Sequence, residues 1–179
     1  MRSLLALAVA LAATAGPLVA QSTDATAGDG ETQVLQPADL TAEQFVTAAA
    51  GGDAFEIATS EVVLNAPDTR EDVRGFAQQM IQDHTANSTE LQAAAEAAGL
   101  TPPPAALDDR RSDMVQALTD ADPATLDNAY LEMQLNSHIE SIALYSAYAG
   151  RDDALGAFAA EKLPVLQMHE QMVRELIGS

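Results

Sequence analysis

Residues 68–104 read DTREDVRGFAQQMIQDHTANSTELQAAAEAAGLTPPP, and this stretch decides the fold. Val73, Phe76/Ala77, Met80/Ile81, His84, Ser88, Leu91 and Ala95 recur every three to four positions, the spacing that lines up side chains along one face of an α-helix. Asp68-Thr69-Arg70-Glu71 supplies a cap-like start. Gly99 marks the end, and Pro102-Pro103-Pro104 forbid continuation, since proline has no N–H and its ring clashes with the preceding turn. His84 stands on the stripe among apolar residues, so its imidazole is expected to point inward.

The same period predicts three more long helices. The first opens at Thr41-Ala42-Glu43-Gln44, a capping box in which the Thr and Gln side chains satisfy each other's backbone N–H groups. Its stripe runs through Phe45, Ala48/Ala49, Gly52, Phe55/Glu56, Thr59 and Val62/Val63 and stops before Pro67. The third is expected to start near Asp122-Pro123, with proline at the first helical position, and carries Leu131, Leu135, His138, Ile142, Tyr145 and Ala149 up to Gly150. The fourth runs from Asp152 through Leu155, Phe158/Ala159, Leu163, Leu166, His169, Val173 and Leu176, with Pro164 expected to kink it near Ala160. Short connections around Ala66-Pro67 and Gly150-Arg151 make each pair an antiparallel hairpin. Over twenty residues with a short helix over 109–118 join the hairpins. One long crossover between two hairpins is the ferritin-like arrangement of a four-helix bundle, an all-α fold.

The ends of the chain read differently. Met1-Arg2-Ser3 is a basic start, and Leu4 to Ala15 is an apolar run too short to span a bilayer comfortably. Gly16-Pro17 and small residues follow, so residues 1–20 are expected to be a secretory signal peptide cleaved after Ala20, or alternatively after Ala15. An uncleaved membrane anchor is the other reading. Residues 21–40 (QSTDATAGDGETQVLQPADL) lack an apolar period and read as a flexible polar tether. The domain is therefore expected over 41–179, in a periplasmic or secreted protein. The chain has no cysteine, which excludes a lipoprotein anchor, disulfides and thiol catalysis.

Four blocks resemble a known family. They are Phe45-Val46-x-x-Ala49-Ala50-Gly51-Gly52-x-x-x-Glu56-Ile57, then Phe76-Ala77-x-x-Met80-Ile81-x-Asp83-His84-Thr85. Tyr130-Leu131 with His138, and Phe158-Ala159 with Leu163-Pro164 and His169, complete the order. The chain is similar over residues 41–177 to the secreted bacterial family known as domain of unknown function 4142. That resemblance implies a ferritin-like superfamily fold and an envelope location, and it lends no catalytic residues. It departs where the family usually has Met four residues before the third helix's histidine; here Gln134 stands beside Met133.

His84, His138 and His169 are the only histidines, and imidazole is the commonest protein metal ligand. A di-iron carboxylate site needs Glu-x-x-His on two helices, but Ile81, Leu135 and Leu166 occupy the positions three residues earlier. A ferroxidase of that kind is not expected. Counting about 1.5 Å per residue from the hairpin turns places Glu56 at roughly 15 Å, His84 at roughly 26 Å, His138 at roughly 18 Å and His169 at roughly 28 Å. Turns at opposite ends level His84 with His138 and Glu56 with His169; turns at one end level His84 with His169 and Glu56 with His138. Neither arrangement gathers all four. The expectation is a histidine pair completed by Asp83, Glu170, a methionine or water, with Met80, Met133, Met168 and Met172 suited to soft Cu(I). Buried histidines fixing helix register are the alternative. Glu56 either needs a buried partner or reaches solvent at the edge of its stripe, or pairs with Arg74.

A formal charge of −19 repels nucleic acid and anionic membrane surfaces. No Ser-His-Asp set, phosphate-cradling loop or dinucleotide fingerprint occurs, so an enzyme is not expected. Two functions remain. The first is a non-enzymatic envelope or stress-related protein acting through an envelope protein partner. The second is a metal-binding protein whose inward-facing histidines hold a copper, zinc or iron ion as cofactor.

Overall fold

The computed structural model describes residues 40–179; the expected signal peptide, and the expected tether up to residue 39, lie outside the described residues. The described residues form five helices and no strands: α1 (Ala42–Asn65), α2 (Glu71–Ala97), α3 (Asp109–Thr119), α4 (Leu126–Tyr148) and α5 (Ala154–Ile177). The capping box at Thr41 forms as expected, with Thr41 Oγ1 accepting from Gln44 N–H at 3.2 Å and Gln44 Oε1 accepting from Thr41 N–H at 2.8 Å. Asp153 caps α5 in the same manner, accepting from Gly156 N–H at 2.7 Å.

Two helix starts differ from the sequence expectation. Asp122 does not open α4; its carboxylate accepts from Ala124 N–H and its carbonyl from Thr125 N–H, closing a separate turn so that α4 begins at Leu126. Thr69 does not cap α2 either. Its hydroxyl turns back to donate to the Val63 carbonyl at 2.7 Å, a second bond on an acceptor at the end of α1 that the Ala66 N–H also meets. Gly99 takes φ 77, the left-handed conformation that ends α2 and that other residues adopt only at a cost.

The four long helices pack as a bundle in which α1 lies on α2 and α4, and α5 lies on α4 and α2. The short α3 packs outside, on α1 and α4. Directions follow from the contacts. Phe45 stacks on Tyr148, while Ser60, four turns along α1, bonds Tyr130 near the start of α4, so α1 and α4 run oppositely.

The apolar interior is divided. One cluster gathers Phe45, Leu91, Tyr145, Tyr148, Leu155 and Phe158 at one end. A second gathers Val63, Phe76, Met80, Tyr130, Leu131 and Val173 at the other. Between them every long helix contributes buried polar residues: Asp53, Glu56, Thr59 and Ser60 from α1, His84 from α2, Gln134 and His138 from α4, and His169 from α5. The hydrophobic stripes are interrupted at one level, and that level holds the site.

Gly156 allows the tight entrance into α5, because a Cβ there would run into the Arg151 carbonyl group, with the carbonyl carbon 2.9 Å away. Gly75 faces open space within α2. Gly156→Ala should therefore destabilise the domain by about 1–3 kcal/mol through overpacking. Gly75→Ala should stabilise it by about 0.5–1 kcal/mol by restricting the unfolded chain. Urea unfolding of the two variants checks both signs.

Candidate metal centre

α2, α4 and α5 each bring one imidazole to the polar level. The ring centroids of His84, His138 and His169 form a near-equilateral triangle with sides of 5.7, 5.7 and 5.4 Å. One ring nitrogen from each lies within 4.8 Å of the other two. All three residues are buried, at 4, 0 and 1 % exposure.

Each ring is tethered on one side only. His84 Nδ1 donates to Asp53 Oδ1 at 2.8 Å, His138 Nδ1 to the Gln134 carbonyl at 2.8 Å, and His169 Nε2 to Asp83 Oδ2 at 2.9 Å. Carboxylates and carbonyls only accept, so these bonds fix the proton on the tethered nitrogen. The opposite nitrogens, His84 Nε2, His138 Nε2 and His169 Nδ1, are buried and have no hydrogen-bond partner. They are the lone pairs free to share a ligand. A carboxylate or carbonyl behind each ring is the support that orients metal-ligating histidines.

Asp53 is the anchor of this arrangement. Besides His84 it accepts from Asn87 Nδ2 at 2.9 and 3.0 Å and from Ser88 Oγ at 3.0 Å. Asn87 also donates to Tyr145 Oη at 3.0 Å. On α4, Gln134 donates to Thr59 Oγ1 at 3.0 Å, and Thr59 donates to the Phe55 carbonyl.

Glu56 is buried at 1 % exposure, and neither carboxylate oxygen has a hydrogen-bond partner. Its Oε1 lies 3.7 Å from His138 Nδ1. It neither reaches solvent nor pairs with Arg74, whose guanidinium donates to the Leu64 and Ala66 carbonyls at the first hairpin. Glu56 adjoins the three-nitrogen group without belonging to it.

Electrostatics separate the rings. For His84, burial works against the imidazolium, but the Asp53 hydrogen bond and the charges of Glu56, Asp53 and Asp83 outweigh it and raise the pKa. For His169, burial dominates and the His84 charge adds to it; despite the Asp83 hydrogen bond the pKa falls to about 4. At neutral pH His169 therefore keeps the neutral form, which is the one that can ligate.

The histidine-pair expectation is thus corrected to a triad. The level count failed because residues 66–70 and 149–153 are connections, which add no helical rise. Counted from the helix ends across a bundle of about 35 Å, Glu56, His84, His138 and His169 fall within about 7 Å along the axis, a gap that side chains bridge. The methionines do not complete the centre. Met80 lies in the second apolar cluster with Met133 and Met172 packed against it, and Met168 is exposed. Glu170 pairs with Arg174. Asp83, named from the sequence as a completing ligand, stands behind His169 instead. Asp53 was missed, although it lies three residues before Glu56 and hence on the same helix face.

The fold and site define a helical bundle with a buried three-histidine centre. The chain belongs to the DUF4142 family, a domain of unknown function, whose model matches residues 26–176. Among solved structures, a DUF305 fragment from Deinococcus radiodurans shares the fold, with a TM-score of 0.66 at 13 % identity, over 78 % of this chain and 97 % of that one. No curated protein matches the chain.

Two substitutions should move metal-free stability in opposite directions. Asp53→Ala strands the His84, Asn87 and Ser88 donors and should cost about 3–5 kcal/mol, as for other broken buried pairs. Glu56→Gln removes an unpartnered buried charge and should stabilise the protein by about 1–3 kcal/mol. Denaturant titrations after chelator treatment measure both.

Proposed function

We propose that this protein is an exported, ferritin-like helical bundle that binds one divalent transition-metal ion on His84, His138 and His169. The observation that carries this reading is the trio of buried imidazoles, which can each offer a nitrogen within 4.8 Å of the other two and which each have one unpartnered nitrogen opposite a nitrogen bonded to a carboxylate or carbonyl. A histidine used only for packing has no need to leave a buried acceptor without a donor, which costs about 1–3 kcal/mol. Three nitrogens so spaced have a common point about 2.8 Å from each at most, and Zn–N bonds of about 2.0–2.1 Å require each to move inward by less than about 1 Å.

The donor set selects among ions. It is imidazole with a nearby carboxylate and no sulfur, which suits Zn2+ or Cu2+ better than Cu(I). The buried Glu56 carboxylate, 3.7 Å from His138 Nδ1, offsets part of a divalent charge at the triad. The metal reading therefore stands ahead of the non-enzymatic protein-contact role.

Export rests on the sequence of residues 1–20, and the ferritin-like reading is supported by two helical hairpins joined by one long connection that carries α3. No helix among the described residues is long and apolar enough to cross a membrane. N-terminal sequencing of the protein recovered from its native envelope should begin at Gln21; an intact Met1 would reject cleavage.

Metal binding is tested on the mature protein with Zn2+ and Cu2+. One ion per chain should bind, and at 100 times Kd it should stabilise the fold by about 2.7 kcal/mol. His84→Ala, His138→Ala and His169→Ala should each weaken binding by at least about 100-fold, the upper range seen for merely supporting residues. Absence of a bound ion, or affinity that survives loss of His138, rejects the assignment and returns the triad to a packing role.

A further inference from the structure

We propose that the cleft between α2 and α5 is the port through which a divalent cation reaches and leaves the histidine centre, with the Asp83 carboxylate as its outer relay. The proposal rests on the metal-binding reading and adds a route to it. A buried site needs one: His138 and Glu56 are sealed at 0 and 1 % exposure, and α1 and α4, which carry them, pack against each other. The opposite side of the triad differs. A cavity of about 400 Å³ opens between α2 and α5, and its lining includes Asp83, His84, Lys162, Met168 and His169. Two of the three imidazoles therefore form the inner wall of an open cleft.

Asp83 and His169 join the two spaces. The Asp83 side chain is 31 % exposed, and its Oδ2 accepts from His169 Nε2. The other nitrogen of the same ring, Nδ1, is the unpartnered one that serves the centre. A cation arriving in the cleft meets the carboxylate first. It then passes inward when His169 turns about its Cβ–Cγ bond, and the ring closes behind it by restoring the bond to Asp83. The one lysine in the cleft does not oppose this passage, because Lys162 is paired with Glu90 and Glu161. The exposed Met168 thioether adds a weak donor at the rim.

The test separates rate from affinity. Ala86 and Val165 line the cleft from α2 and α5, and neither takes part in the hydrogen bonds of Asp83 or the triad. Ala86→Trp and Val165→Trp should obstruct it. Co2+ uptake is followed by stopped-flow visible absorption of the mature protein, and release by challenge with excess chelator. In both variants uptake and release should slow together by about tenfold or more, leaving Kd within about twofold of wild type. Asp83→Asn keeps an acceptor for His169 but loses the charge, and should slow uptake more than release. Wild-type rates in a folded Trp variant that still binds Co2+ would overturn the port while leaving the metal site intact. A wild-type protein that takes up no Co2+ or Zn2+ overturns the port together with the function on which it rests.

Discussion

Eight polar side chains are withdrawn from water between the two apolar halves of this bundle, and the structure depends on how they are matched. Burying an amide, hydroxyl or imidazole without a partner costs free energy, and burying an unpaired charge costs more. Three of the eight are fully matched: Asp53 accepts four hydrogen bonds, Ser60 meets Tyr130, and Thr59 links Gln134 to the α1 backbone. The deficit is confined to the three inner nitrogens, the Glu56 carboxylate and Gln134 Oε1. Unsatisfied groups scattered over a core would point to poor packing. Here they all belong to the one polar level of the bundle, and the three imidazoles among them converge, which is the distribution expected when a ligand completes them.

The same matching explains why the helices keep their register. An apolar stripe alone tolerates sliding, since leucine and alanine pack at many offsets. The Asp53–His84 bond joins α1 to α2, the Asp83–His169 bond joins α2 to α5, and the Ser60–Tyr130 and Thr59–Gln134 bonds join α1 to α4. These links cross three of the four long-helix interfaces at the same level. Hydrogen bonds demand about 3 Å and a narrow angle, so a shift of one turn would break several of them together. The polar layer is thereby a gauge for the whole bundle, whatever it costs in burial.

The helices were legible in the sequence because periodicity and caps are local. Thr41–Gln44 and Gly99 did what their residue types prescribe, and α3 appeared within one residue of its expected end. The inward direction of His84, His138 and His169 was also legible from their place on apolar stripes. Their convergence was not, since it depends on a few residues of connection at each hairpin, where a helix boundary moves the level by several ångströms. Thr69 and Asp122 show why such boundaries resist a sequence reading: both are good capping residues, and both satisfy other backbone groups instead. Asp53 escaped notice because an acidic residue on a helix usually faces solvent, and only the partners on α2 give it a reason to be inside.

The bundle has four long helices but only three contribute an imidazole; α1 contributes Glu56 in that place. Had all four carried histidine, the centre would be nearly the same viewed from any side. With one carboxylate it acquires a polarity, an anionic back on α1 and an imidazole front where His84 and His169 line the cleft between α2 and α5. No single hairpin contains this axis, since α1 and α2 hold the carboxylate and one ring while α4 and α5 hold the other two. The centre comes into existence only when both halves of the chain have met, so an ion bound there would register that the tertiary structure is complete.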